Sequence, residues 1–576
     1  MKYLLKHLSK HKVETILAPL FKMLEAFFDL FVPLVVADII NKGIAAHDSS
    51  YIVSRCLLLL LLAIVGISCS VTAQYFSAKA AVGCATGLRH SLFEHIQTLG
   101  FSEIDTIGTS TMITRMTSDI NQVQNGVNMF LRLTLRSPFI VFGSMIMAFL
   151  LNAKIALIFV IAIPVLSAIV FGSMKITSPM YKKVQGRLDH LLAITRENLT
   201  GVRVVRAFGK EAQETERFQK ANTELTHQQL FVGRISGLMN PLTYVVINLA
   251  IIAIIQFGSQ QVHEGAILNG DVVALVNYMS QILVELVKLA NTIVLLSKAG
   301  ASLGRITAIM DTKTAMEFQT SLETQTAETD AAVQFDHVSL QYAGASENSL
   351  SDISFEAKKG QTIGIIGATG SGKSSLINLI PRFYDASAGQ ILVMGKAVTA
   401  YSKEQLRHLV GIVPQKAQLF SGTVRSNLLW GNENASDADL WEALRIAQAA
   451  DFIQAKPLGL DEPVEQGGRN FSGGQKQRLT IARALVGKPD ILILDDSASA
   501  LDLATDAALR QALADMKGNP TIFIVSQRTI SIQSADLILV LDDGKLTGSG
   551  CHEELLHTCE VYKEIYESQF KKGGDQ

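Results

Sequence analysis

Residues 361–375 read QTIGIIGATGSGKSS, and the fold turns on how this run is parsed. Its first seven residues are mostly apolar and β-branched, as in a buried strand. Glycines then crowd the chain at Gly367, Gly370 and Gly372, ahead of a helical stretch, SSLINLI, at 374–380. Strand, glycine loop and helix start are the context a phosphate-binding loop needs. Backbone amides approach phosphate oxygens where side chains are missing, and the helix dipole adds positive potential. In this reading Thr369, Ser371 and Ser375 belong to the loop, Lys373 reaches the β and γ phosphates, and Ser374 ligates Mg²⁺. The cofactors expected are ATP and Mg²⁺.

Further along, ILILDD (491–496) is a second apolar run ending in two acids. In a parallel strand Asp495 emerges at the carboxyl end of the sheet, where it can hold the Mg²⁺ shell. Asp496 then stands where a group polarising the attacking water is needed. Compared with glutamate it lacks one methylene, and a misplacement on the order of 1 Å can cost about a hundredfold in rate. Slow hydrolysis is the expectation. Between these runs, FSGGQ (Phe471 to Gln475) precedes the helical run QKQRLTIARAL, so Ser472, Gly473 and Gly474 offer a hydroxyl and amides at a helix start.

The first half of the chain differs in kind. With 48% hydrophobic and 18% charged residues over 576 positions, the protein is too apolar to be wholly soluble. A net charge of -1, with basic residues spread along the chain, leaves no footprint for nucleic acid. Long apolar runs at about 16–40, 55–77, 132–152, 154–174, 238–261 and 272–296 each approach the length needed to cross hydrocarbon, which predicts six spans. The connection 175–237 is rich in Lys and Arg from Lys182 to Arg234, whereas the link from Gln260 to Asp271 has none. The positive-inside rule therefore places that connection, and both termini, in the cytoplasm of a multi-pass cell-membrane protein. The connections 78–131 and 175–237 are too long for loops, and read as helices that leave the membrane, turn near 101–112 and 204–214, and return.

Smaller features follow the same division. The N-terminal MKYLLKHLSKHK is amphipathic and basic, without a cleavage site, and reads as a segment lying on the inner membrane surface. Five cysteines show no metal-ligand spacing. Polar groups at membrane depth are Glu25 and Asp29, Asn240 and Asn248, and Asn277, Glu285 and Lys288. They either line a substrate path or, for Lys22 with Glu25 and Glu285 with Lys288, form pairs three apart on one helical face. The domains expected are a transmembrane domain at 1–310, a Thr- and Glu-rich linker at 311–332, and a nucleotide-binding domain at 333–576, where strands alternate with helices around a parallel sheet.

Taken together, these motifs resemble an ATP-binding cassette (ABC) exporter half-transporter along essentially the whole chain. The resemblance implies a six-helix membrane domain followed by an α/β nucleotide-binding domain. In that family two cassettes meet head to tail, so FSGGQ, with Phe471 where leucine is more usual, resembles the signature that meets a partner's ATP. Tyr342 resembles the aromatic that stacks on adenine, and Gln415 the Q-loop glutamine near Mg²⁺ and water. Ser499, Ala500, Leu501 and Asp502 resemble the D-loop. Departures occur at Asp496, where glutamate is expected, and at Gln527, where the switch histidine is expected; glutamine donates a hydrogen bond but cannot relay a proton. Both fall on the site built from this chain's own phosphate loop. The resemblance therefore implies a degenerate subunit of a heterodimeric, multidrug-type exporter whose partner half-transporter supplies an intact acid and histidine. The cargo implied is an amphipathic, drug-like small molecule. An importer or a peptide or lipid exporter on the same architecture, an ATP-sensing membrane subunit and a slow homodimer are the alternatives.

Overall fold

The structure, a computed structural model, describes residues 1–314, 316, 318, 329–516 and 518–570. Much of the linker expected at 311–332 lies outside the described residues. The chain forms two compact units, Met1–Gln97 with Ser110–Thr312, and Thr98–Thr109 with Lys313–Gln576.

The first unit is helical. Five segments are long and apolar enough to cross a membrane by length and composition: Ser49–Thr98, Thr109–Leu151, Ala153–Thr200, Glu211–His263 and Asn269–Met310. The sixth expected span does not join them. Residues 16–40 fall mostly on the 27-residue helix Lys12–Asp38, whose apolar run is interrupted by Lys22, Glu25 and Asp29. Those charges are paired inside the unit, Lys22 with Glu25 at 2.6 Å and Asp29 with Arg136 at 3.0 Å, while Ile16, Leu20 and Phe27 of the same helix are exposed. The second suspected pair, Glu285 with Lys288, also forms, at 2.9 Å. Asn240 and Asn248 are exposed on the helix Met239–His263.

Helix lengths carry the unit beyond a bilayer's thickness. Ser49–Thr98 has 50 residues and Ala153–Thr200 has 48. At about 1.5 Å per residue each is roughly 70–75 Å long, against about 30 Å of hydrocarbon. The returns fall where the sequence placed them: a short helix Phe101–Ile107 followed by left-handed Gly108, and Val202–Ala207 followed by left-handed Gly209. Between Ile120–Leu133 and Arg136–Leu151 the helix breaks at Thr134 and Leu135, where Pro138 removes the amide that would bond back to residue 134. Asn152 restarts the chain, its side-chain oxygen accepting from the amides of Lys154 and Ile155. The core is built from Phe159, Leu166, Ile254, Leu275 and Tyr278, and the Tyr278 hydroxyl donates to the Leu30 carbonyl at 2.5 Å.

The second unit holds strands β1 (Ala331–Leu340), β2 (Leu350–Lys358), β3 (Thr362–Gly367), β4 (Ala388–Val393), β5 (Lys396–Ala397), β6 (Val410–Val413), β7 (Gly422–Thr423), β8 (Pro463–Val464), β9 (Ile491–Asp495), β10 (Thr521–Val525), β11 (Leu537–Asp542) and β12 (Lys545–Gly550). A six-stranded sheet runs β12-β11-β3-β10-β9-β6, parallel except for β12 at the edge. The expected parallel sheet is therefore present. A separate antiparallel sheet, β2-β1-β4-β5, was not anticipated: the alternation of strands with helices pointed to a parallel sheet alone, although the helix-free connection from β1 to β2 is the one an antiparallel pair uses.

Both faces of the parallel sheet are covered. Ile491, Ile493, Phe523, Val525 and Leu539 pack toward the antiparallel sheet, while Leu492, Leu494, Ile522, Ile524 and Ile538 pack toward helices that include Gly473–Val486. Burial on two faces is why these strands read as continuous apolar runs and not as alternating ones. The segment Thr98–Thr109 belongs to the same unit: the Phe101 ring stacks on Phe383 with centroids 4.4 Å apart, and the Tyr384 hydroxyl donates to Asp105 at 2.5 Å.

Candidate functional site

Strand order builds the site. In β6, β9, β10 and β3, four parallel neighbours, the carboxyl ends lie along one edge of the sheet, the place where open α/β sheets bind ligands. Gly367 ends β3 and opens the glycine loop; Asp495 ends β9 and Asp496 follows; Ser526 and Gln527 follow β10; Gln415 lies two residues past β6. Pairing of Val525 with Asp495 on one side and Ile365 on the other fixes these ends level with one another. A cavity of about 670 Å³ results, lined among others by Thr369, Lys373, Gln415, Asp495, Asp496 and Gln527. Residues 121 and 81 apart in sequence thus meet: the Ser374 hydroxyl donates to Asp495 at 3.1 Å, and the Gln415 amide to Asp496 at 3.2 Å.

The loop is shaped for an anion. Gly370 and Gly372 hold φ at 87° and 94°, the left-handed region. The helix Lys373–Leu379 starts immediately after them. Lys373 is buried and its ammonium donates to the carbonyls of Gly367 at 2.8 Å and Ala368 at 2.6 Å, folded over the loop it belongs to. Burial pushes that ammonium below the ordinary lysine range, opposed by Asp496 and Asp495. Burial likewise pushes the Asp495 carboxyl above the usual range, with the Ser374 hydroxyl pulling it back.

These groups fit a magnesium nucleotide. A serine hydroxyl and a buried carboxylate form a hard oxygen donor set, and a divalent cation there would offset the burial that disfavours the ionised Asp495. Ser374, Asp495 and Gln415 are the residues that could hold Mg²⁺, which would neutralise phosphate charge when bound.

Other expected residues take distinct positions. Tyr342 does not line the cavity in the described residues; its hydroxyl donates to Ser375 at 2.9 Å and its ring meets Tyr384 edge-on. Gln527 is exposed, and its carbonyl accepts from the Gln569 amide. Phe471 is buried, and Ser472 caps the helix Gly473–Val486 in a reciprocal box with Gln475, at 3.3 and 3.0 Å. Ala500 backs the signature: a Cβ at Gly474 would lie 3.1 Å from its carbonyl. Leu501 is buried and Asp502 caps the following helix through Thr505. Among the described residues lining the cavity, none belongs to 471–475.

Two lining segments escaped sequence reading. One is the turn Gly344–Ser349; the other is Asp543–Gly544, the two-residue loop joining β11 to β12. Both members of that loop have positive φ, 45° and 72°, and the Asp-Gly pair was the signal for it.

Comparison with known proteins places the chain. Residues 15–286 match the ABC transporter transmembrane region, and residues 350–499 match the ABC transporter family. An uncharacterized ABC transporter ATP-binding protein of Mycobacterium tuberculosis is 35% identical over 567 residues, covering 98% of this chain and 97% of the relative. This chain is a member of the ABC transporter family. Bacillus subtilis YfiB, another uncharacterized member, is 35% identical over 97% of each chain. The ATP-dependent lipid A-core flippase of Yersinia pestis is 29% identical over 98% of this ABC transporter and 96% of the flippase. A solved bacterial Atm1-family ABC exporter with ATP bound shares the fold, with a TM-score of 0.78 and 23% identity over 99% of each chain. The transporter is thus a multi-pass membrane protein of half-transporter type, with a membrane region followed by an ATP-binding domain.

Proposed function

We propose that this chain is one subunit of a heterodimeric ABC exporter for amphipathic small molecules, with its own ATP site degenerate. The observation that carries the reading is the separation of two half-sites in one unit. Lys373, Ser374 and Asp495 line the nucleotide cavity together with Asp496 and Gln527, whereas the capped signature Ser472 to Gln475 lies outside it and needs a nucleotide from a second cassette. The cavity's own water-activating groups are a short carboxylate and a glutamine that cannot relay a proton. The signature's geometry is that of an intact helix start.

In this scheme Lys373 and the loop glycines bind phosphates, Tyr342 stacks on adenine, and Ser374, Asp495 and Gln415 hold Mg²⁺. Residues 499–502 cross to the partner. ATP binds better to a closed cassette pair than to an open one and so drives closure; hydrolysis at the partner's competent site resets it. Six spans in 1–310, a linker at 311–332 and the cassette at 333–576, with both termini cytoplasmic, complete the topology. The flippase named for Yersinia supports an amphipathic cargo.

The test is ATP turnover of the chain expressed alone and with a second half-transporter carrying glutamate and histidine at the corresponding positions. Asp496→Glu with Gln527→His should raise turnover of the pair. A chain that alone hydrolyses ATP at two equal sites, unaffected by the partner, overturns the reading.

A further inference from the structure

A cavity of about 480 Å³ opens in the helical unit between Lys12–Asp38, Arg136–Leu151 and Asn269–Met310. Its polar wall is one connected network centred on Arg136. One guanidinium nitrogen donates to Asp29 at 3.0 Å and another to Glu285 at 2.5 Å. Glu285 also accepts from Ser137 at 2.8 Å and from Lys288 at 2.9 Å. Behind them Glu25, 3.8 Å from Arg136, pairs with Lys22. The three carboxylates and three cations cancel, so the network is neutral.

Exposure is graded along it. Side-chain exposure is 9% for Lys22, 12% for Glu25, 11% for Arg136 and 5% for Glu285, but 40% for Asp29 and 45% for Lys288. Arg136 and Glu285 reach the cavity wall already paired and largely buried, whereas the two end members are the exposed charges: a carboxylate on one helix and an ammonium on another. Each is tied to the network at one end and open at the other. Asp29 meets Arg136 through one oxygen, and Lys288 meets Glu285 through one of its three donors. The buried side-chain oxygen of Gln281, also lining the cavity, has no hydrogen-bond partner. Val32, Val36 and Ile140 make the remaining wall apolar.

A purely structural network explains the four buried charges, since each is paired. It does not explain why both termini of the network are left open toward one cavity. An ion of either sign entering here pairs with one wall charge and strips water from the other, which is costly in an apolar setting. A ligand carrying both signs satisfies both walls.

We propose that this cavity binds the headgroup of a zwitterionic amphiphile, with the cationic group at Asp29, the anionic group at Lys288 and the start of the tail along the apolar wall. The inference rests on the exporter reading and names the cargo class for it.

The test uses the full-length protein in a sugar-headgroup detergent and three probes of equal chain length: hexadecylphosphocholine, hexadecyltrimethylammonium and hexadecyl phosphate. Affinity is read by native mass spectrometry. The zwitterion should bind about tenfold more tightly than either ion, the size of one charge-assisted hydrogen bond. Asp29→Asn should shift the preference to the phosphate probe and Lys288→Gln to the ammonium probe. Asp29→Asn also removes a partner of Arg136, so Lys288→Gln, at a half-exposed side chain, gives the independent arm. Equal binding of all three probes to the unaltered protein, or an order unchanged by Lys288→Gln, overturns the proposal. Failure of the exporter reading has a separate signature: the headgroup order holds in detergent, yet ATP drives none of the probes across reconstituted vesicles.

Discussion

Gly372 shows how narrowly single residues set the nucleotide site. Its φ of 94° is one that side chains adopt at a cost of about 1–2 kcal/mol. A Cβ there would also lie 2.8 Å from the Ser349 carbonyl oxygen, a backbone atom that cannot swing away. Gly372→Ala should therefore weaken ATP binding at least about tenfold, measured by calorimetric titration, with the loss arising from a displaced loop. Ser374→Ala tests a different term. It removes the hydroxyl that donates to Asp495, and ATP affinity should fall about tenfold in Mg²⁺ and stay unchanged in EDTA. These positions were legible because strand ends fix them: Ser374 and Asp495 meet across 121 residues since β3 and β9 flank β10 in one register. Tyr342 was less so. Its hydroxyl bond to Ser375 depends on the antiparallel sheet that carries β1, which the helix-strand alternation gave no reason to draw.

Elements follow their apolar pattern until tertiary partners intervene. The helix Lys12–Asp38 misses the composition expected of a span because it carries Lys22, Glu25 and Asp29, and Ser70 and Arg136 on other helices, far away in sequence, answer those charges. The N-terminal segment is a second case. Read as lying on the inner membrane surface, Lys2–Leu8 buries His7 against the helix Ser49–Thr98, where Ser91 contacts its Nε2 at 3.2 Å and Gly87 leaves room for the ring. Burial, with Lys10, Lys6 and His90 nearby, holds His7 below its ordinary value of 6.5. The buried Nδ1 has no acceptor for a second proton. Since the released state binds a proton more readily than the docked one, docking is fully favoured above about pH 6.5 and weakens as pH falls through that value. Hydrogen exchange of residues 3–11, corrected for intrinsic rate, should show protection at pH 7.5 that is reduced at pH 5.5, and His7→Gln should abolish the difference. Protection independent of pH in the unaltered chain would count against a neutral, docked imidazole.

At the scale of the whole molecule, the cassette gathers one set of groups at the carboxyl edge of its sheet and holds another, the capped signature, against Ala500 outside that cavity. If, as proposed, the two sets answer to different nucleotides, substitutions in them separate the sites of an assembled pair. On the proposed reading, Lys373→Ala disables phosphate binding at the site that Asp496 and Gln527 make slow, and steady-state ATP hydrolysis of the pair should fall by less than about threefold. Ser472→Arg places a bulky cation at the exposed start of the helix Gly473–Val486, which in the proposed pair meets the partner's nucleotide. Hydrolysis should then fall by at least about a hundredfold, on the order of 2.7 kcal/mol in the barrier. A symmetric homodimer cannot give this result, because each substitution then strikes both sites, through the loop in one case and the signature in the other. Equal losses for Lys373→Ala and Ser472→Arg, measured on co-purified complexes of unchanged stoichiometry, would therefore reject unequal sites without reference to any cargo.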